Sequence, residues 1–368
     1  MIKVLHITTV HPRFDIRIFQ KECVTLQAAG YHVRLLVADG RGDALAQGVE
    51  VYDVGSARGR LQRMLILPFR AFFRARALMP DIIHIHDSEL LPIALLFCLL
   101  GFRTIYDSHE DLPRAILSKH WINPRLRSVI AWISERVENF CAARMSAVVA
   151  ATPHIAERFR SVQPNTVSVT NYPVLPDTLL PLIQSPEPRT FIYIGGIARQ
   201  RAAREMLVAA RLADARLLLV GPFEDQTLRD ELMSMPEWAN TEYLGVVSHD
   251  KIFELMARAL AGLLLFFPEP NHINAVPNKL FEYMAGGLPI ISSDFEAWRP
   301  ILVERCIGFT CDPVEPESIA EAMRKILTDP ERAANMGHSA QAIVSAEFRW
   351  SNEAEKLLSL YAQVSAPS

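Results

Sequence analysis

The sequence predicts an α/β protein made of two doubly wound parallel-sheet domains. Short apolar runs alternate with helical patterns from end to end, as strands and covering helices do. The apolar runs are nearly continuous, the mark of parallel strands buried on both faces. A proline-rich seam then divides the series in two, and 368 residues at roughly 150 per domain give the same number. In the first series, strands are expected at residues 3–8, 32–37, 82–86, 103–106, 147–151 and 166–170, with helices that include 18–29 and 123–145. The seam holds Pro173, Pro176, Pro181, Pro186 and Pro188, which continue neither a helix nor a central strand, so an interdomain linker is placed at 172–189. The second series has expected strands at 190–194, 216–220, 262–267, 289–293 and 308–311. Its helices are expected at 203–211, 251–259, 279–285 and 318–327, and a closing helix runs from about Trp350 to Tyr361. The domains are therefore 1–171 and 190–347, with 348–368 as a terminal helix. Ligands of open α/β sheets sit beyond the carboxyl ends of the strands, so two such domains facing each other would share a cleft.

Composition narrows the function classes. Hydrophobic residues make up 50% and charged residues 21%, which excludes a disordered or collagen-like chain. The net charge of −3 argues against a protein that coats nucleic acid. That small sum is a cancellation: residues 1–180 carry +5, and residues 181–368 carry −8. Five scattered cysteines without a CxxC pair fit a reducing compartment rather than a disulfide framework or zinc cage. The opening residues run straight into a strand pattern without the layout of a signal peptide. The most apolar stretch, residues 90–101, falls short of the roughly 20 needed to span a bilayer. The expectation is a cytoplasmic chain, soluble or at most peripheral.

Residues 274–293, NAVPNKLFEYMAGGLPIISS, hold the densest motif. Pro277 suits the first turn of a helix. The free N–H groups of Asn278, Lys279 and Leu280 would then face out of the helix start, a natural phosphate site. Glu282 stands one turn further along the same face, where a carboxylate can accept two hydrogen bonds from a ribose diol. An ordinary helix–turn–strand unit with an exposed glutamate would read the same way.

This segment resembles the signature of family 4 glycosyltransferases, in particular a branch that builds bacterial surface polysaccharides. The resemblance covers nearly the whole chain and is strongest over 190–328. It implies the GT-B fold, with two Rossmann-like domains facing across a cleft and a terminal helix crossing back toward the first. It also implies retaining transfer from an NDP-sugar, with UDP-sugar the expected donor, and no metal or cofactor. In that family two glutamates spaced E-x7-E contact the sugar and the ribose. Glu282 keeps the ribose role, whereas Asn274 replaces the sugar-side glutamate and offers no charge.

The turn after the first strand of the second domain reads YIGGIARQRAARE. Gly195 and Gly196 permit close backbone approach, and Arg199, Arg201 and Arg204 follow, a composition that suits a diphosphate or simply a solvated basic helix start. By resemblance, Arg201 takes the family's lysine position. Gly196 stands where the family has an arginine, and Arg199 is the expected substitute.

In the first domain, His84-Ile-His86-Asp87 and Tyr106-Asp107-Ser108-His109 end two strands. Two histidines on one strand face can bind zinc in a hydrolase, yet no third and fourth ligand falls at recognisable spacing. No Asp-x-Asp stands near a strand end, which disfavours metal-dependent transfer. By resemblance, His109 faces the sugar and joins Arg201 and Asn274 as the expected catalytic set. His11, Asp15 and Arg17, in the first loop, read either as the acceptor side or as loop and cap chemistry.

Residues 58–76, from Arg58 to Arg76, hold six arginines and no acid, with Leu65, Phe69, Phe72 and Phe73 as an apolar face. They read either as contact with an anionic membrane surface or as a packed helix with a basic edge. The expected partners are a nucleotide-sugar donor and a lipid-linked or saccharide acceptor, with no nucleic acid. A GT-B UDP-sugar 2-epimerase, a non-catalytic nucleotide-sugar-binding protein and, more remotely, a metal hydrolase are the alternatives.

Overall fold

The computed structural model describes residues 1–119, 122–175, 186–270 and 272–366. Of the linker expected at 172–189, residues 176–185 lie outside the described residues. The chain forms two compact units, Met1–Val174 with Trp350–Ser368, and Leu175–Arg349. Both are parallel-sheet α/β structures.

The first unit has eight strands: β1 (Lys3–Ile7), β2 (His32–Val37), β3 (Ala44–Ala46), β4 (Val49–Asp53), β5 (Ile82–Ile85), β6 (Arg103–Ser108), β7 (Ala147–Ala150) and β8 (Thr166–Ser168). They lie in the order β3-β4-β2-β1-β5-β6-β7-β8. All pairings are parallel except β3 with β4. The order turns back at β1, so the switch point lies between β1 and β5, and the loops leaving those strands carry residues 8–15 and 86–89. Alternation of side chains splits the core into two layers. Leu5, Ile7, Ile83 and Ile85 face one side. Val4, Val33, Leu35 and Ile82 face the other, against Trp350, Leu357, Leu360 and Tyr361 of helix Trp350–Ser365.

The second unit has six parallel strands: β9 (Thr190–Ile194), β10 (Arg216–Val220), β11 (Thr241–Gly245), β12 (Ala261–Leu264), β13 (Ile290–Ser293) and β14 (Gly308–Cys311). Their order, β11-β10-β9-β12-β13-β14, puts the switch point between β9 and β12. Gly195 and Gly196 leave one of those strands, and Phe266 follows the other. A Cβ on Gly221 would meet the Gly195 carbonyl oxygen at 2.1 Å, and both glycines have φ well above +100°. The close approach of these two turns therefore requires glycine.

Strands β3, β4 and β11 were not expected from the sequence. β3 and β11 are sheet edges, and each alternates or exposes its residues instead of presenting a buried apolar run. The helix expected at 18–29 begins at Ile16 as a wider π-helical turn, Ile16–Cys23, and continues as Val24–Ala28. No described helix is long and apolar enough to cross a membrane.

Leu357 is fully buried under the first sheet. Leu357→Ala should lower unfolding free energy by about 2–5 kcal/mol, read from the denaturant midpoint. A change no larger than that of Ser359→Ala, on the exposed side of the same helix, would contradict this packing.

Candidate functional site

In the second unit, β9 delivers its chain into the Gly195–Gly196 turn. A short 3-10 helix, Arg199–Arg201, follows, and then helix Ala203–Leu212. Arg201 Nη1 donates to the Gly196 carbonyl at 3.0 Å, and Tyr193 Oη donates to the same oxygen at 2.8 Å. Lys279 approaches from helix Asn278–Ala285. Its ammonium lies 3.9 Å from the centre of the Tyr193 ring and 5.2 Å from that of Phe266, and the Arg201 guanidinium lies 5.5 Å from the Phe266 centre. A Cβ on Gly195 would sit 3.4 Å from Lys279 Nζ, and one on Gly196 would sit 3.0 Å from Arg201 Nη1. Two cations thus converge on a turn whose missing side chains leave the space open.

The Lys279 ammonium is buried and has no hydrogen-bond partner among the described residues. Burial, and then the charge of Arg201, hold its pKa well below the usual lysine value, while Glu282 pulls the other way. A cation left this way in a folded protein is destabilising until an anion reaches it.

The remaining donor-side residues divide. Asn278 and the half-buried Glu282 lie on the same helix as Lys279, and Asn274 sits exposed in the turn before it. Leu280 is a correction. Its N–H is not free, because it donates to the Pro277 carbonyl at 3.0 Å in a 3-10-type first turn. Pro277 itself is the cap, with ψ 135°, and precedes the first helical residue. The guanidinium of Arg199, the expected substitute for the arginine missing at Gly196, donates to Glu231 at 2.6 Å on the protein surface, whereas Lys279 Nζ stands 3.4 Å from where a Cβ on Gly195 would lie. The sequence motif indicated Lys279 only for its backbone; the signal for its side chain was a lysine among the apolar residues of a helix that closes over β9.

In the first unit, the loop after β1 wraps Asp87. The carboxylate accepts from the Thr8 hydroxyl at 3.0 Å and the Val10 N–H at 3.2 Å, and His11 Nδ1 lies 2.9 Å from it. Burial works against a proton on His11, but Asp87 outweighs it and the histidine pKa is raised. Asp15 accepts from the N–H groups of Arg17 and Ile18 at 2.8 and 2.9 Å, capping the π-helical turn. Arg17, expected on the acceptor side, is corrected to an interior role. It is buried and donates to both oxygens of Asp107, at 3.0 and 2.9 Å, and to the Val169 carbonyl.

His109 ends a chain of ring nitrogens. Tyr361 Oη lies 2.7 Å from His84 Nδ1 and 3.3 Å from His6 Nε2. His6 Nδ1 lies 2.8 Å from His86 Nε2, and His86 Nδ1 lies 3.2 Å from His109 Nε2. Burial lowers His6 and His84 far below the ordinary value and brings His86 to about 4, against the pull of Asp107. Asp107 is held well below the carboxylate range because Arg17 and His109 outweigh its burial.

Among the described residues, two clusters have metal-ligand composition: His6, Glu22, His84 and His86, and His86, Asp107 and His109. The sequence did not reveal the first because His6 and Glu22 come from other elements. Its chemistry fits a cation poorly. Arg17 Nε already stands 3.1 Å from Glu22 Oε1, and burial together with Asp107 pushes Glu22 well above the carboxylate range, toward the protonated form that does not ligate.

Comparisons with known proteins agree with these two halves. A model described as "Glycosyl transferases group 1" matches residues 183–343, and "Glycosyl transferase 4-like domain" matches residues 17–173. The glycogen synthase of Mycobacterium tuberculosis is 21% identical over 78% of this chain and 69% of its own length. Among solved structures, sucrose-phosphate synthase from Thermosynechococcus elongatus has a TM-score of 0.76 at 17% identity, covering 99% of both chains. Anabaena HepE in complex with UDP-glucose has a TM-score of 0.72 at 17% identity, covering 99% of this chain and 100% of its own.

The raised pKa of His11 sets a pH dependence. The ion pair with Asp87 is fully present below the ordinary histidine value near 6.5 and is lost as pH rises through the raised folded value. The stability difference between the native chain and His11→Gln should therefore shrink from pH 6 upward. A difference that grows with pH would overturn the assignment.

Proposed function

We propose, on the premise that this chain belongs to the glycosyltransferases those two models describe, that it moves a sugar from a UDP-sugar to an acceptor held by the first unit. The observation that carries this reading is the unpartnered Lys279 ammonium beside Arg201 at the Gly195–Gly196 turn. A diphosphate is the ligand that satisfies both cations at once. Glu282 would hold the ribose, the Asn278 and Lys279 end of the helix would face the phosphates, and Asn274 would contact the sugar without charge. The UDP-glucose complex of HepE supports UDP as the nucleotide.

The chemistry follows from charge. The donor bond breaks with negative charge growing on the departing diphosphate, and Lys279 and Arg201 are fixed where that charge develops. In the retaining mechanism the departing phosphate takes the acceptor's proton, so no protein base is assigned. His109 lines the acceptor side near the sugar. Two side-chain cations do the neutralising, and we therefore propose that transfer is metal-independent. The matched relatives are named as transferases, which does not favour the 2-epimerase alternative.

The proposed setting is bacterial surface polysaccharide or glycolipid assembly at the cytoplasmic face of the plasma membrane. Helix Arg60–Leu78 supports it, since Leu61, Leu65, Phe69 and Phe73 are exposed among its arginines. Co-sedimentation should rise with the anionic lipid content of vesicles, and indifference to lipid charge would remove this part of the proposal.

Thermal shift with UDP and UDP-sugars tests the donor site, because a ligand of the folded state alone raises its midpoint. Lys279→Met should weaken UDP at least tenfold, about 1.4 kcal/mol, while raising the midpoint of the ligand-free protein. Arg201→Ala and Glu282→Ala should lose donor binding and turnover without unfolding, and Asn274→Ala should lose less than Glu282→Ala. Unchanged kinetics in Arg201→Ala and Glu282→Ala would refute the site. Tight UDP binding with no transfer or donor hydrolysis would favour the non-catalytic alternative.

A further inference from the structure

A groove of about 980 Å³ opens in the first unit, and its polar end is lined by His11, His86, Asp87 and His109. Behind that end, β5 and β6 run side by side and parallel. The chain leaving β5 carries His86, the end of β6 carries Asp107, and the chain leaving β6 carries His109. Their nitrogen and oxygen atoms form a nearly equilateral triangle. His86 Nδ1 and His109 Nε2 are 3.2 Å apart, and they stand 3.4 and 3.3 Å from Asp107 Oδ2. Each edge exceeds the roughly 2.9 Å usual for an N–H···O hydrogen bond. A tetrahedral ion with bonds of about 2.0–2.1 Å needs edges of about 3.3–3.4 Å, whereas an octahedral ion at the same bond length needs about 2.9 Å. The triangle has the tetrahedral size.

The neighbours orient each of the three groups. Arg17 fixes the carboxylate, donating through Nε to Asp107 Oδ2 and through Nη2 to Oδ1, and each oxygen keeps a second lone pair. With the His86 proton on Nε2, that N–H donates to His6 Nδ1 at 2.8 Å. The His6 Nε2–H then donates to Tyr361 Oη at 3.3 Å, and the Tyr361 hydroxyl donates to His84 Nδ1 at 2.7 Å. Every donor in this chain meets an acceptor, and the Nδ1 of His86 is left bare toward the triangle. A ligating histidine ordinarily gives its other ring N–H to such a partner. His86 and Asp107 are buried, whereas the His109 side chain is 18% exposed and lines the groove. The triangle is therefore closed behind and open in front.

We infer that His86 Nδ1, Asp107 Oδ2 and His109 Nε2 bind a zinc ion, whose fourth position faces the groove and takes a water or an oxygen atom of a groove ligand. Three protein ligands and one open position are the arrangement of zinc sites that meet a ligand, and two imidazoles with a carboxylate suit zinc better than magnesium or calcium. The Arg17 guanidinium repels a dication, so the site binds more weakly than a closed structural one. It belongs to the first unit alone. In the proposed donor site Lys279 and Arg201 meet the diphosphate, and no metal is needed there.

The test titrates zinc into the full chain, freed of metal with a chelator, and reads binding by calorimetry, with magnesium and manganese as separate arms. Both of those ions should bind about a hundredfold more weakly than zinc, or not at all. His109→Ala should weaken zinc by about tenfold or more, while His154→Ala, at a histidine 53% exposed elsewhere on the unit, should leave it unchanged. Circular dichroism and the thermal midpoint without metal show that each variant is folded. Cobalt(II) in place of zinc reports on the native chain without any substitution. It should give the intense visible bands of a tetrahedral ion, and His109→Ala should lose them. No zinc binding, zinc bound equally well by His109→Ala, or the weak cobalt bands of an octahedral ion each overturn the inference, whatever the outcome at the donor site.

Discussion

The second unit is organised around a buried lysine that the fold leaves without a hydrogen-bond partner among the described residues. Lys279 places its ammonium among Tyr193, Phe266 and the Gly195–Gly196 turn, where no carbonyl or carboxylate of the described residues accepts from it. The aromatic faces offset only part of the cost of burying an unpartnered ammonium. The arrangement becomes favourable when a phosphate completes it. The surrounding features serve this one constraint. Gly195 and Gly221 let two turns approach closely, Arg201 is oriented by the Gly196 carbonyl, and the aromatic rings exclude water while their faces hold the cations.

The first unit solves the opposite problem. Around the switch point its interior charges are paired, with Arg17 bound to Asp107 and Val169, and Asp87 wrapped by the loop after β1. These pairs fix the strand ends at the switch point, from which His11 and His109 face the groove.

The fold was legible in the sequence wherever burial is two-sided. The central strands of both sheets read as continuous apolar runs, and β2, β9 and β10 carry the expected bounds. Edge strands β3 and β11 were not legible because their residues are half exposed and lack that pattern. Of the candidate donor motif, Glu282 and the glycine turn were read from the residues and the place of Arg201 from the resemblance, but the approach of the Lys279 side chain to that turn was not. That depends on a lysine reaching across from a helix more than 80 residues later, a contact that only the sheet order creates. Likewise the histidine cluster draws His6 and Glu22 together with His84 and His86, and no spacing along the chain encodes it.

The most direct measurement is the number of protons exchanged when UDP binds, from calorimetry in buffers of different ionisation enthalpy. Lys279 is depressed in the free protein and a diphosphate raises it, so binding between those two values must take up protons. The account predicts net proton uptake at pH values between the depressed free and the raised bound value, with affinity falling as pH rises through that window, and the loss of both in Lys279→Met. UDP binding with the same proton count in Lys279→Met as in the native chain would contradict it.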